Sequence, residues 1–164
     1  MARSDVVVDY GCGTLRVGKT FIEYLEPSCF VGLDIDHRIL DTGLAILPPG
    51  LAEEKKPILG VITDEMLDSV ASMRPRWIFS KGVIHHVPPA DLGEFFANIS
   101  RLTHPDTDVL IWARFSDTTN KSSKRTWFHG LDDVMAVARS FGLDGEIIEV
   151  DTKRVIRLRR SPEA

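Results

Sequence analysis

A chain of 164 residues, 43% hydrophobic and 27% charged, has the size and balance of one soluble domain able to bury a full core. Its net charge of -4 argues against a general nucleic-acid binder, which carries a basic surplus, and no apolar run approaches the ~20 residues that span a bilayer. Two cysteines, Cys12 and Cys29, supply neither a disulfide framework nor metal-ligand spacing, and Asp5 and Asp9 interrupt the stretch a signal peptide would use, so a cytoplasmic protein without a metal is the default expectation.

Apolar, β-branched runs alternate with helical patterns along the chain. Residues 6–9 (VVVD) read as a buried strand, and a helix follows over about 15–25 until Pro27 stops it. Residues 30–34 (FVGLD) form the second strand, and a helix over 37–47 ends at Pro48-Pro49-Gly50. The third strand covers 58–63, with a short helix from Asp64 closed by Pro75; the fourth covers 77–80. The next helix is the clearest: Pro89 suits a first turn, and Leu92, Phe95, Phe96, Ile99 and Leu102 recur at helical spacing.

Residues 109–115 (VLIWARF) are the fifth strand, and the polar stretch 116–125 is the expected mobile loop. Leu131, Val134, Ala138 and Phe141 mark the last helix, with Gly142 placed to cap it. Strand-like runs at 146–150 and 154–158, separated by Asp151-Thr152-Lys153, suggest a hairpin, and its arginines, Arg154, Arg157, Arg159 and Arg160, read as a solvated face. Five βα units in succession predict a single α/β domain over 1–164, a doubly wound, mostly parallel sheet with helices on both faces, in three layers.

Residues 6–20 (VVVDYGCGTLRVGKT) fit two motifs. From Asp9 they read D-x-G-x-G after a strand, where Gly11 and Gly13 let the backbone approach a ligand. From Gly13 they read G-x-x-x-x-G-K-T, a nucleotide P-loop in which Lys19 and Thr20 would meet phosphate and Mg²⁺. A nicotinamide fingerprint fails, because Arg16 stands at its last glycine. Ligands bind at the carboxyl ends of strands in such sheets, and Asp34, Asp64 and Ser80-Lys81-Gly82 all fall there. Asp34 lies 21 positions after Gly13, about the ~20-residue interval at which an acid reaches ribose hydroxyls.

With DYGCG, GLDID, the third-strand end TDE, the segment RWIFSKGVIHHVPP, and VLIWARF, the chain resembles class I S-adenosylmethionine-dependent methyltransferases of the small-molecule branch over nearly its whole length. The resemblance implies a Rossmann-like sheet of seven strands with a C-terminal antiparallel hairpin, and methyl transfer from S-adenosylmethionine to a small-molecule acceptor. It implies that Asp9, Gly11 and Gly13 line the methionine half of the cofactor; Cys12, between the glycines, is a cofactor-site candidate or a small buried residue, and Arg16 is a candidate partner for the methionine carboxylate or part of a solvated helix face. Asp34 would hold the ribose and Ile35 the adenine; Asp64 and Glu65 would approach the adenine amino group, and Ser80 and Lys81 would border the sulfonium.

His85 and His86 follow the fourth strand beside the expected methyl position, so either is a candidate general base. Cations mixed with Trp127 and Phe128 over 121–129 suit an anionic or aromatic acceptor. The resemblance breaks at Leu15, where many relatives carry a third glycine. The first strand also begins almost at residue 1, which leads to the expectation of a covering partner chain or homo-oligomer. Two alternatives stay open: a P-loop nucleotide-binding protein, and a cofactor-binding subunit with little activity of its own.

Overall fold

Consecutive valines near the start of the chain fix a strand with two buried faces, and the architecture is assembled around it. In the computed structural model, which describes residues 1–150 and 153–161, β1 (Val7–Tyr10) sends Val7 into one apolar cluster and Val8 into a second. Then come α1 (Gly18–Tyr24), β2 (Phe30–Asp34), α2 (His37–Ala45), α3 (Leu51–Lys55), β3 (Ile58–Val61), α4 (Asp64–Ser72) and β4 (Trp77–Lys81). Short 3-10 turns at Ile84–His86 and Pro89–Asp91 lead into α5 (Leu92–Leu102) and β5 (Asp108–Trp112). β6 (Phe115–Ser116), β7 (Asn120–Ser123) and β8 (Thr126–Gly130) precede α6 (Leu131–Ser140), β9 (Leu143–Val150) and β10 (Lys153–Arg160).

The main sheet has seven strands in the order β3-β2-β1-β4-β5-β10-β9, parallel except for β10, which runs antiparallel to both its neighbours. Buried side chains of α4, α5 and α6 share one cluster, while those of α1 and α2 share the other. The doubly wound, three-layer α/β fold with a C-terminal antiparallel hairpin is therefore present. The hairpin's expected turn, Asp151-Thr152, lies outside the described residues. Chain reversal between β1 and β4, on either side of the point where strand order changes direction, opens a crevice at the carboxyl ends of those strands.

Four local expectations are corrected. α1 starts at Gly18 rather than at 15, because Leu15 takes a left-handed backbone (φ 59°) that a helix cannot contain. α3 forms after Gly50, itself at φ 81°, in a stretch whose few apolar residues carry no readable period. The polar segment 116–125 holds β7 and the end of β6, two edge strands of a small sheet ordered β6-β8-β7. All four residues of β7 are exposed, so no apolar alternation announces the strand; Thr119 Oγ1 ties the segment down by accepting from Gly130 N (2.8 Å) and donating to Asp133 (2.6 Å).

Arg154 and Arg159 are exposed, as a solvated face requires, but the terminal arginines also bind the sheet together. Arg157 and Arg159 each donate from Nε to Asp108 Oδ1 at 2.8 Å, and Arg76 donates to Oδ2 at 2.7 Å. Arg160 caps the carbonyls of Ser100 and Thr103. Burial opposes ionisation of Asp108, yet Arg159, Arg157 and Arg76 together hold its carboxyl well below the usual range. This clasp lies at the amino end of β5, opposite the crevice, and ties β10 to β5 and to the entry of β4. No helix among the described residues is long and apolar enough to cross a membrane.

Candidate functional site

Immediately after β1 the chain turns through two left-handed glycines, Gly11 (φ 80°) and Gly13 (φ 55°). A β-carbon at Gly11 would collide with Val83, so the turn can press against the segment after β4 only without one. A β-carbon at Gly13 would meet nothing within 4 Å, which leaves its backbone facing open space. Gly13 N donates to Asp34 Oδ2 at 2.8 Å, and Ile35 N donates to Oδ1 at 2.8 Å. The ends of β1 and β2 are thus joined through the carboxylate of Asp34.

Leu15 keeps its left-handed backbone because its side chain is buried where glycines clear the way. A β-carbon at Gly43 would lie 2.9 Å from Leu15 Cγ, and one at Gly18 would lie 3.2 Å from Leu15 Cδ2 and 2.8 Å from the Phe30 ring. Gly18 is therefore required by packing. This removes the main attraction of the P-loop reading. Lys19 N and Thr20 N are spent on Leu15 and Val17 carbonyls, and Lys19 Nζ pairs with Glu23 one turn on.

Asp9 is the electrostatic centre of the crevice. It is 3% exposed, and burial followed by repulsion from Asp34 pushes its pKa up to about 7, against the opposing pull of Lys81. Ser80, on β4 beside β1, is buried with its Oγ lacking any hydrogen-bond partner among the described residues. A buried hydroxyl without a partner is uncommon. Cys12 is turned away: its side chain belongs to the α1–α2 cluster, and burial, then Asp9 and Asp34, hold its thiol protonated.

The remaining expected residues face solvent or are engaged elsewhere. Arg16 is exposed and has no ion-pair partner among the described residues. Thr63, not Asp64, caps α4 by accepting from Met66 N at 3.2 Å. The Asp64 carboxylate is committed to Arg101 of α5, and Glu65 is exposed. Ile35 does project: it is 81% exposed, an apolar side chain beside Asp34 with nothing covering it.

Past β4, Gly82 (φ 72°) turns the chain into the 3-10 turn that carries both histidines, and the two separate there. His86 is exposed, with Nδ1 3.3 Å from the Arg125 carbonyl. His85 lines a cavity of about 480 Å³ with Lys81, Trp112, Arg114, Thr126 and Phe128. Burial, then His86, His129 and Arg114, lowers the pKa of His85, so its ring is neutral near pH 7. His129, which the sequence reading passed over, is buried on β8, and its Nε2 lies 3.0 Å from the carbonyls of both Ile84 and Val87. Those oxygens only accept, so Nε2 carries the proton and clamps the ends of the His85 turn. Its sole signal in the sequence was a histidine inside an aromatic run.

No family model and no curated protein matches the chain. Among solved structures it is similar to magnesium protoporphyrin IX methyltransferase (ChlM) from Synechocystis PCC 6803 with bound SAH, at TM-score 0.69 and 14% identity, over 96% of this chain and 75% of that one. A TehB-like SAM-dependent methyltransferase from Corynebacterium glutamicum gives TM-score 0.65 and 16% identity, over 98% and 82% of the two chains. DesVI from Streptomyces venezuelae gives 0.72 and 13%, over 96% and 84%. At such identities the likeness is one of fold: the chain has the Rossmann-like fold of these methyltransferases.

Proposed function

We propose that this fold serves transfer of a methyl group from S-adenosylmethionine to a small-molecule acceptor. The observation that carries the reading is one crevice in which the Gly11–Gly13 turn, the Asp34 carboxylate and the poised Asp9 meet, one strand away from a cavity lined by His85. The residues fit the cofactor. Open space over Gly13 admits a ligand close to backbone, and Asp34 has spare lone pairs for ribose hydroxyls. Ile35 offers an uncovered apolar surface to a base. When bound, S-adenosylmethionine supplies an electrophilic methyl group on a positively charged sulfur.

The chain's own groups do the rest by positioning and proton handling. Gly11 and Gly13 set the floor of the crevice, and Asp9 places negative charge there once it is deprotonated. The neutral ring of His85 faces the cavity, where it can take the proton from an acceptor hydroxyl or amine. His129 holds the turn that presents it, and holding two reactants in near-attack geometry is the larger part of such catalysis.

Calorimetry with S-adenosylmethionine, S-adenosylhomocysteine and Mg-ATP in parallel tests the proposal. Both sulfur compounds are expected to bind, and Lys19→Ala is expected to change neither affinity. Binding of Mg-ATP alone would refute it.

A further inference from the structure

The cavity beyond β4 carries a charge pattern that methyl transfer as such does not require. Lys81 and Arg114 enter it from the ends of β4 and the segment after β5, and none of the residues lining it is acidic. Several arginines are answered by carboxylates: Arg76, Arg157 and Arg159 by Asp108, Arg101 by Asp64 and Asp68, Arg139 by Asp144. Arg114 has no hydrogen-bond or ion-pair partner among the described residues. Lys81 Nζ sits 5.2 Å from the centroid of the Trp112 ring, which holds the cation against an aromatic wall. Phe128 supplies a further ring to the lining. Burial first, then His86, His129 and Arg114, disfavours a positive charge on His85.

Resting on the methyl-transfer reading, we propose that the acceptor is an aromatic molecule bearing an anionic group, its ring packed against Trp112 and Phe128 and its charge met by Arg114 and Lys81. A cavity of about 480 Å³ lies within the range of small-molecule sites, and a guanidinium matches a carboxylate with two parallel hydrogen bonds. Thr126 adds a hydroxyl at the same wall. The basic hairpin above, with Lys121 held 5.7 Å from the Trp127 ring, extends the positive field outward and favours capture of an anion over a neutral or cationic acceptor.

The test uses the full chain loaded with S-adenosylhomocysteine, titrated with 2-naphthoate and with the uncharged 2-naphthamide. Affinity for S-adenosylhomocysteine is measured first; its absence overturns the methyl-transfer reading and not the assignment of the cavity. With it bound, the naphthoate is expected to bind at least ~10-fold more tightly than the amide, the scale of one charge-assisted contact. Arg114→Gln is expected to erase most of that preference while S-adenosylhomocysteine affinity stays within about twofold; Lys81→Gln is expected to lower it as well. Equal affinity for the two probes, binding of neither, or a preference that survives Arg114→Gln overturns the proposal. Arg114 is exposed, so the variant keeps its core intact.

Discussion

Replacing Asp9 by asparagine separates the charge of this side chain from its shape. In the folded protein the carboxyl ionises at about 7 instead of 3.8. A folded-state value above the unfolded one means that the associated stability is fully present below pH 3.8, declines as pH rises, and is lost once pH passes about 7. Each pH unit across that window is worth about 1.4 kcal/mol, so the whole span amounts to ~4 kcal/mol, and the part between pH 5 and pH 7 to ~3 kcal/mol. Asparagine cannot ionise. The stability of Asp9→Asn relative to the parent should therefore climb by ~3 kcal/mol from pH 5 to pH 8 and then level off. Urea unfolding of both proteins at half-unit steps over that range measures it, since other titrating groups cancel in the difference. A difference constant to within about 0.5 kcal/mol would show that the site does not strain Asp9. The same charge should assist cofactor binding: affinity for S-adenosylmethionine is expected to rise through pH 7 in the parent and to stay flat in the variant.

His85→Ala should lower turnover by 10²- to 10⁴-fold, the usual contribution of a general base, with His86→Ala close to the parent; equal losses in the two would remove His85 from that role. Because its pKa is lowered, the activity supported by His85 should persist at neutral pH and fall only in acid, below the ordinary histidine range. At Leu15, Ala should cost ~2–5 kcal/mol through the lost side chain, but Gly should be no less stable than Ala, since relief of the left-handed backbone returns about 1–2 kcal/mol; chemical denaturation of the pair decides it, and Gly falling ~1 kcal/mol or more below Ala would refute the strain. Asp108→Ala leaves three arginines converging on an empty site and should cost ~3–5 kcal/mol. Since the Asp108 pKa is depressed, its contribution is present above pH 3.8 and is lost as pH falls below that value, so the parent and Asp108→Asn should converge in acid.

What could be read from sequence was local. Gly11, Gly13 and Asp34 sit at fixed intervals around strand ends, and β1, β2 and α5 declare themselves by runs and periods that need no knowledge of distant residues. Leu15 was legible only as an anomaly, because the room it needs is created by Gly18 and Gly43. His129 and Arg114 acquire meaning from partners, or the lack of them, some 29 to 45 positions away along the chain or on neighbouring strands. Ser80 is distinguished by an absence, which no sequence pattern can announce. The arginines of β10 misled for the same reason: alternation on a strand looks solvated until Asp108 is placed beside it.

The position of β10 also has a consequence for how the molecule is made. β9 is synthesised first, yet it touches the sheet only through β10, which takes the inner place against β5. A nascent chain released as far as Val150 therefore presents β5 with an open edge and β9 with nothing to pair with. Only when residues 153–160 emerge can both gaps close, and they close together. Completion of the sheet therefore waits on a long-range pairing, and a ribosome stalled before residues 153–160 emerge would hold out an unpaired β5 edge, a ready template for association with other chains.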